Sequence, residues 1–538
     1  MRLTTTHPPT DILILGSGAS GAAVAWRLSQ SDFNVVCLEQ GRWIKPEEYP
    51  NEHSDGEIQA RANWAFDPNV RGLDVDYPIN VDESPIDPLM FNAVGGSTIH
   101  WTAHTPRFHP SDFRVRTLDG VADDWPIAYE DVEPYYDAYD ELMGCSGING
   151  DPANPPRKER PMPPLPIGSD GERMARAFDR LSWHWWPSDS YVNSVPYRGR
   201  QACNNCGNTG LGCSRGAKGQ TDVAIWPEAI ANGVELRTES RVFRIETDAE
   251  GRATGASYYD ANGEENFQPA KAVVLAMNGI GSPRIMLNSA SDAHPEGLCN
   301  SSGLLGKNLM FHPYAMVSGL FDDGLKTYKG ALANMILCQE FYETDPKKDF
   351  VRGYTYQVAR SSGPISTACG YMFGRVPWGA EHHVEFGRRF GDVTVLGVIG
   401  EDLPEEHNRV ELDPKLTDSN GIPAPKVFYK LSSNSRRQLD DAIENAETAL
   451  HEAGAVEVLA TRFLKVAGWH LMGTARMGDD AKSSVVNRWG QSHDTDNIFV
   501  VDGSVFVTCA AVNPTPTIGA LALRTADYID RERSDLKS

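Results

Sequence analysis

Cysteine, basic residues and long apolar runs are all scarce in this chain, and each shortage excludes a class of protein. Only nine cysteines occur in 538 residues, scattered except for one cluster, so the fold does not rest on a disulfide framework. Lysine and arginine total 50 against 73 aspartates and glutamates, a formal net charge of −23. Such a surface argues against nucleic acid or an anionic membrane as partner. A solvated acidic surface is the plain reading of that excess, although the same surface could dock a basic electron acceptor. No stretch of 18 apolar residues occurs and the N-terminal region has no apolar run of signal length, which predicts no membrane span and synthesis and folding in the cytoplasm. No internal repeat is visible. A chain this long exceeds a single-core domain, so two entangled domains are expected.

What the chain does have, near its start, is glycine in a set pattern. The run Asp11-Ile12-Leu13-Ile14-Leu15 reads as a buried strand and feeds Gly16-Ser17-Gly18-Ala19-Ser20-Gly21. An alanine-rich helical pattern then continues to Leu28, and a second strand follows at Val35-Val36-Cys37-Leu38. Gly16 permits the tight turn, Gly18 lets the backbone approach a pyrophosphate, and Gly21 lets helix and strand pack closely, while the helix N-terminus offers free N–H groups to the anion. Glu39 ends the second strand 18 residues past Gly21, with Gln40 beside it; a carboxylate there can accept both ribose hydroxyls. Glycines also serve ordinary turns, but strand, glycines, helix, strand and acid in register read as a dinucleotide site.

Farther along, residues 46 to 90 are polar and read as an excursion over the surface. Gly95-Gly96-Ser97-Thr98 offers backbone N–H groups and hydroxyls suited to a diphosphate or the polar edge of a flavin, with His100 and Trp101 just after it. A helical pattern from Asp124 to Met143 carries an aromatic face, and residues 151 to 168 form a proline-rich connection. Strand-like runs return at 234–236, 241–245 and 272–276; the last leads from Ala276 into Asn278-Gly279-Ile280-Gly281, the sort of turn that sits beside a bound nucleotide. Between about 315 and 430 short apolar alternations separated by Gly, Pro and Asp predict an antiparallel sheet, hence a second domain. Residues 433 to 453 look like an amphipathic helix, 497 to 503 like one more buried strand, and Thr517 to Arg531 like a closing helix.

Two short segments near the C-terminus carry the chemistry. His470 stands in Gly468-Trp469-His470-Leu471-Met472-Gly473 and Asn513 in Val512-Asn513-Pro514-Thr515-Pro516-Thr517. Removing hydride from a carbinol carbon requires its hydroxyl to lose a proton, which a neutral imidazole can take. An adjacent amide can hold the same hydroxyl or stabilise the alkoxide without competing for the proton. Cys203, Cys206 and Cys213 lie in a glycine-rich loop and could ligate an iron–sulfur cluster or zinc; reduced cysteines in a tight loop are the plainer reading. His312 reads as structural or as a wall of the substrate cavity. His382 and His383 would point to opposite sides of an extended segment, which argues against a shared metal.

Together the glycine turn at 16–21, Gly95-Gly96-Ser97-Thr98, His470 within H-L-M-G-T-A-R-M-G, Asp502-Gly503 and Asn513-Pro514-Thr515-Pro516-Thr517 resemble the glucose-methanol-choline (GMC) oxidoreductases nearly end to end. The branch most similar is that of bacterial gluconate-dehydrogenase-like subunits, glycoside 3-dehydrogenases or oxidases, and pyranose 2-oxidases. The resemblance implies an α/β fold with an α+β substrate part: a Rossmann-type FAD-binding domain from residues 1–110, 215–315 and 465–538, an insertion at 111–214 carrying the cysteine loop, and a substrate domain at 316–464 built on an antiparallel sheet covered by helices. It also implies FAD, with Asp502 and Gly503 at the diphosphate, Val242 at the adenine, and Asn513, Pro514 and Thr515 facing the pyrimidine end of the ring. His470 would be the base facing flavin N5 and Asn513 its partner. FAD would be bound non-covalently, although the segment around His100 is similar to one whose histidine bonds to flavin; some relatives also carry an iron–sulfur cluster. The activity implied is oxidation of a secondary hydroxyl of a sugar or glycoside, with electrons passed to a cytochrome, quinone or small partner subunit. Alternatives are an oxidase reducing dioxygen, a dehydrogenase of aryl or aliphatic alcohols, or a non-catalytic electron-transfer subunit. Co-export to the periplasm with a signal-bearing partner would be an alternative to the cytoplasm.

Overall fold

In the computed structural model, residues 5–207, 209–332, 336–360, 363–370 and 373–537 are described. All six residues of the strand Thr10–Leu15 are buried, as a strand covered on both faces of a parallel sheet must be. It pairs in parallel with Val35–Leu38 on one side and with the C-terminal half of Glu265–Leu275 on the other. Glu235–Arg237 adds to Val35–Leu38, and Ile498–Val500 adds to the far side of Leu275, both in parallel. The N-terminal half of Glu265–Leu275 instead pairs antiparallel with Ala253–Tyr259, which pairs with Arg241–Thr247. One strand thus belongs to two pairing patterns.

Small side chains let helices lie close on this sheet. In the helix Ala19–Leu28, Ala22, Ala23, Val24 and Ala25 are wholly buried, and the helix packs on the long C-terminal helix Thr515–Glu532. That second helix also takes Tyr129–Met143 against it. The aromatic face read in the sequence is core: Tyr129, Tyr136 and Tyr139 are buried.

A second sheet is antiparallel, in the order Glu457–Thr461, Tyr314–Leu320, Val393–Gly400, Tyr354–Arg360, Ile336–Cys338, Trp185–Pro187. Its side chains divide with the two-residue period of a strand. Val317, Tyr356, Val358, Leu396 and Val398 turn to the helices Gly168–Leu181 and Ser433–Glu452, where they meet Met174, Phe178, Leu439, Ile443 and Leu450. Burying one such Leu or Ile contributes roughly 1.5–3 kcal/mol, so this layer is firmly held. The opposite face, with Tyr314, Met316, Gln357, Ala359, Val395 and Ile399, looks into a cavity. Segment 111–214 serves both halves: its helix Tyr129–Met143 packs on Thr515–Glu532, and its strand Trp185–Pro187 edges the second sheet.

Residues 46 to 90 depart from expectation. Tyr77, Ile79, Ile86, Leu89 and Met90 are buried, and Phe66, Tyr77, Leu89 and Met90 line the cavity. The excursion is polar on average, yet these apolar side chains turn inward while Ile58, Val70 and Leu73 stay exposed. His382 and His383 differ too: they begin the helix His382–Arg389 rather than an extended segment.

Candidate active site

The three glycines of the N-terminal turn do three different things. Gly16 has φ +99°, and a Cβ there would come 2.6 Å from the Ala276 carbonyl oxygen. At Gly21 a Cβ would land 1.9 Å from the Gly16 oxygen, so Gly21 packs behind the turn and does not line the cavity. Gly18 has nothing within 4 Å of a built Cβ; its open side is where a ligand backbone can approach. The helix Ala19–Leu28 has no side-chain N-cap and no acid in its first turn, which leaves its N–H groups free for an anion.

Glu39 stands beside this turn, its carboxylate accepting from Ser17 N (2.9 Å), Ser17 Oγ (2.7 Å) and Gly41 N (2.8 Å). Burial raises its pKa while these donors lower it. Ser17, Ala19, Ser20, Glu39 and Gln40 line the cavity with Gly16 and Gly18. So do Gly96, Ser97, Thr98, His100 and Trp101 from the second glycine segment, and Val242 and Ala276 from the sheet. Asp502, Gly503, Pro514 and Thr515 complete the wall; Asp502 is held by Ser504 N at 2.9 Å and by Ser282 Oγ at 2.5 Å. Two expected residues stand behind it. A Cβ on Gly95 would face Asp222, and one on Gly279 would strike the Leu471 carbonyl at 2.5 Å, so both enable close packing rather than contact.

His100 donates from Nδ1 to the Gly210 carbonyl at 2.9 Å, while its buried Nε2 has no partner. Phe66 and Phe91 stand edge-on to its ring at 4.8 and 4.3 Å. Burial drives its pKa down to about 3, so the ring is neutral with a free lone pair. An open glycine cradle, free helix N–H groups, a carboxylate for a ribose and this orphaned nitrogen are a donor and acceptor set that FAD fits. The cysteine loop gathers nothing comparable. Cys203, Cys206 and Cys213 are free thiols, and among the described residues no three His, Cys, Asp or Glu side chains are placed to hold a metal; Asn208, between them, lies outside the described residues.

His470 and Asn513 line the same cavity. His470 Nδ1 is 2.6 Å from Nδ1 of His312, whose Nε2 lies 2.9 Å from the Ala510 carbonyl and 3.2 Å from that of Cys509. Carbonyls only accept, so the proton of His312 is on Nε2 and its Nδ1 is an acceptor. The proton between the rings then belongs to His470 Nδ1, and His470 Nε2 carries a lone pair. Burial holds both rings neutral: it takes His312 to about 4, and it takes His470 well below the usual imidazole value with help from the neighbouring His312. Asn513 is oriented as well, since Gln357 Nε2 donates to its Oδ1, which leaves the Asn513 amide hydrogens for a ligand oxygen.

Gln357 and the buried His104 were not legible as site residues, and His312, read as structural or as a cavity wall, gave no sign of its contact with His470. His312 lies 158 residues from His470 in sequence, and only tertiary packing joins them.

Comparisons with known proteins agree with this geometry. Residues 191–314 and 404–522 match the two GMC oxidoreductase family profiles, and residues 14–73 match an NAD(P)-binding Rossmann-like domain. The chain is 44% identical to 2-methyl-1,2-propanediol dehydrogenase of Mycolicibacterium austroafricanum, over 99% of this chain and 97% of that protein. It is 29% identical to the fructose dehydrogenase large subunit of Gluconobacter japonicus (96% and 97%) and 28% identical to paromamine 6'-oxidase of Streptomyces fradiae (96% and 91%). The crystal structure of pyridoxine 4-oxidase from Mesorbium loti superposes with a TM-score of 0.64 at 17% identity, covering 96% of this chain and 98% of that one, which speaks to the fold alone. With a cleft between a Rossmann-like layer and an antiparallel sheet, lined by a neutral histidine and an amide, these matches place the chain among the GMC oxidoreductases, FAD-dependent enzymes that oxidise CH–OH groups.

Proposed function

We propose that the enzyme dehydrogenates a compact aliphatic alcohol carrying a second hydroxyl, and passes the electrons to a carrier rather than to dioxygen. One observation carries the substrate reading. The sheet face that lines the cavity together with His470 and Asn513 is largely apolar, offering Met316, Ala359, Val395 and Ile399 with Leu332 and Trp469 nearby, and Tyr314 and Gln357 are its polar side chains. A pyranose would bring four or five hydroxyls against these walls, and each left unpaired costs about 1–3 kcal/mol; a small diol brings two. The similarity to a protein named for a methyl-propanediol supports the same reading, and its name supports dehydrogenase over oxidase. The sugar expected from sequence stands second, favoured by the likeness to fructose dehydrogenase.

FAD, when bound, supplies the acceptor for the hydride leaving the carbinol carbon. His470 Nε2 takes the hydroxyl proton, and the Asn513 amide donates to the oxygen as negative charge grows there. His312 holds the newly formed His470 cation through the Nδ1 contact, backed by the carbonyls of Cys509 and Ala510. The apolar walls exclude water.

Anaerobic titration of the flavin absorbance tests the substrate reading, with 2-methyl-1,2-propanediol, fructose and methyl glucoside compared. Bleaching by the diol, reversed quickly by a quinone and slowly by air, is expected. Bleaching by the sugars alone would overturn it. A second expectation concerns His312. His312→Leu removes the acceptor for His470 Nδ1–H and should slow flavin reduction about tenfold to a hundredfold, the scale of one hydrogen bond to a charged group. His312→Asn, whose Oδ1 can accept the same proton, should recover most of that loss; equal loss in both variants would mean that His312 only fills space.

A further inference from the structure

His104 is 1% exposed and lines the cavity; among the described residues neither ring nitrogen meets a partner at full hydrogen-bond geometry, the polar side chain nearest it being that of Gln357. Burial lowers its pKa to about 4, so the ring is neutral, one nitrogen a donor and the other an acceptor. A buried ring whose nitrogens are not fully satisfied is costly. Something with a hydroxyl-like pair of functions belongs there.

Position decides which ligand supplies it. His104 lies beside Gln357, which projects from the antiparallel strand Tyr354–Arg360 and donates to Asn513. A single glutamine side chain therefore stands between the Asn513 amide and the His104 imidazole. Around them the walls are apolar. The backbone holding His104 is fixed: Ala103 adopts φ +62°, its carbonyl accepts from Tyr191 N at 2.9 Å and Ser190 Oγ at 3.1 Å, and His104 itself bridges to Ser190. The ring is thus a preformed group on the substrate side of the cavity, not a mobile surface residue.

We infer that His104 binds the second hydroxyl of the substrate, and so selects 1,2-diols over alcohols with one hydroxyl. This rests on the small-diol reading above. The reacting hydroxyl lies between His470 and Asn513, the neighbouring hydroxyl reaches His104, and the carbon skeleton meets the apolar wall. A neutral imidazole suits a hydroxyl, which can donate and accept at once.

The test compares 2-methyl-1,2-propanediol with 2-methyl-1-propanol, the same skeleton without the second hydroxyl, by anaerobic flavin reduction of the holoenzyme. The wild type should prefer the diol. His104→Leu should lower the diol-over-monoalcohol ratio by about 30-fold or more, since a site built for a hydroxyl discriminates strongly against its absence. His104→Asn, still able to donate and accept, should keep part of the ratio. FAD content and melting are followed in each variant to separate misfolding from lost recognition. An equal fall for both alcohols, or a shifted flavin spectrum with the ratio preserved, would overturn the inference and place His104 against the cofactor. A wild type that favours the diol while His104→Leu keeps the preference sinks the inference alone. A wild type indifferent to the second hydroxyl sinks the small-diol reading and the inference together.

Discussion

Replacing His470 by alanine should slow flavin reduction by the alcohol between about 100- and 10,000-fold, the span of general-base contributions, while FAD remains bound. The His470 ring packs on His312 rather than on the glycine turn, so its loss leaves the nucleotide contacts alone. Its proton sits on Nδ1, shared with His312 at 2.6 Å, and its Nε2 lone pair is the base proposed above. Burial depresses the pKa of His470 well below the ordinary imidazole value, so the basic form persists as the pH falls. The wild-type reduction rate should therefore stay level from pH 9 to below pH 6, where an ordinary histidine would already have lost half its basic form. Stopped-flow reduction across that range measures both effects. Undiminished reduction in His470→Ala would remove the base assignment, and a rate halving near pH 6.5 would show a solvated ring.

The second large effect is on stability. Arg352, with a side chain 1% exposed, donates to Glu401 at 2.9 Å, to Asp112 at 2.5 Å and to Asp119 at 3.1 Å. Asp112 and Glu401 are wholly buried. Replacing the arginine by methionine keeps much of the volume and removes the only positive charge among these contacts. Breaking such a buried set by deleting one partner costs about 3–5 kcal/mol, and the urea midpoint should fall accordingly. The damage should also reach the site: Thr508 donates to the Asp112 carbonyl at 3.0 Å, and the next two residues supply the carbonyls that hold His312. A loss under about 1 kcal/mol would mean the two buried carboxyls take up protons once the arginine is gone.

Legibility in the sequence followed the range of the interactions. The strand, glycine turn, helix, strand and Glu39 lie within 30 residues, and local physics suffices to read them. The alternation at Thr394–Ile399 disclosed the second sheet, since one face of it is packed and the other looks into the cavity. By contrast, nothing near His312 announces that its ring touches His470, and nothing near Gln357 announces its bond to Asn513. Both are contacts between the sheet and the C-terminal loops, fixed only when the two layers meet. The excursion at 46–90 misled for a related reason: average polarity hides a few buried positions such as Tyr77 and Met90.

Strand order has a consequence for how the protein is made. The sheet that carries the glycine turn is completed by Ile498–Val500, on the far side of Leu275, and covered by Thr515–Glu532. A ribosome has thus emitted most of the polypeptide before the sheet can close, and the first helix waits for its packing partner throughout translation. Until then the nascent N-terminal third exposes Ile12, Leu13, Ile14, Val35 and Val36 on incomplete strands. Those strands remain open edges, able to pair with other chains, until the C-terminal segment arrives to close the sheet.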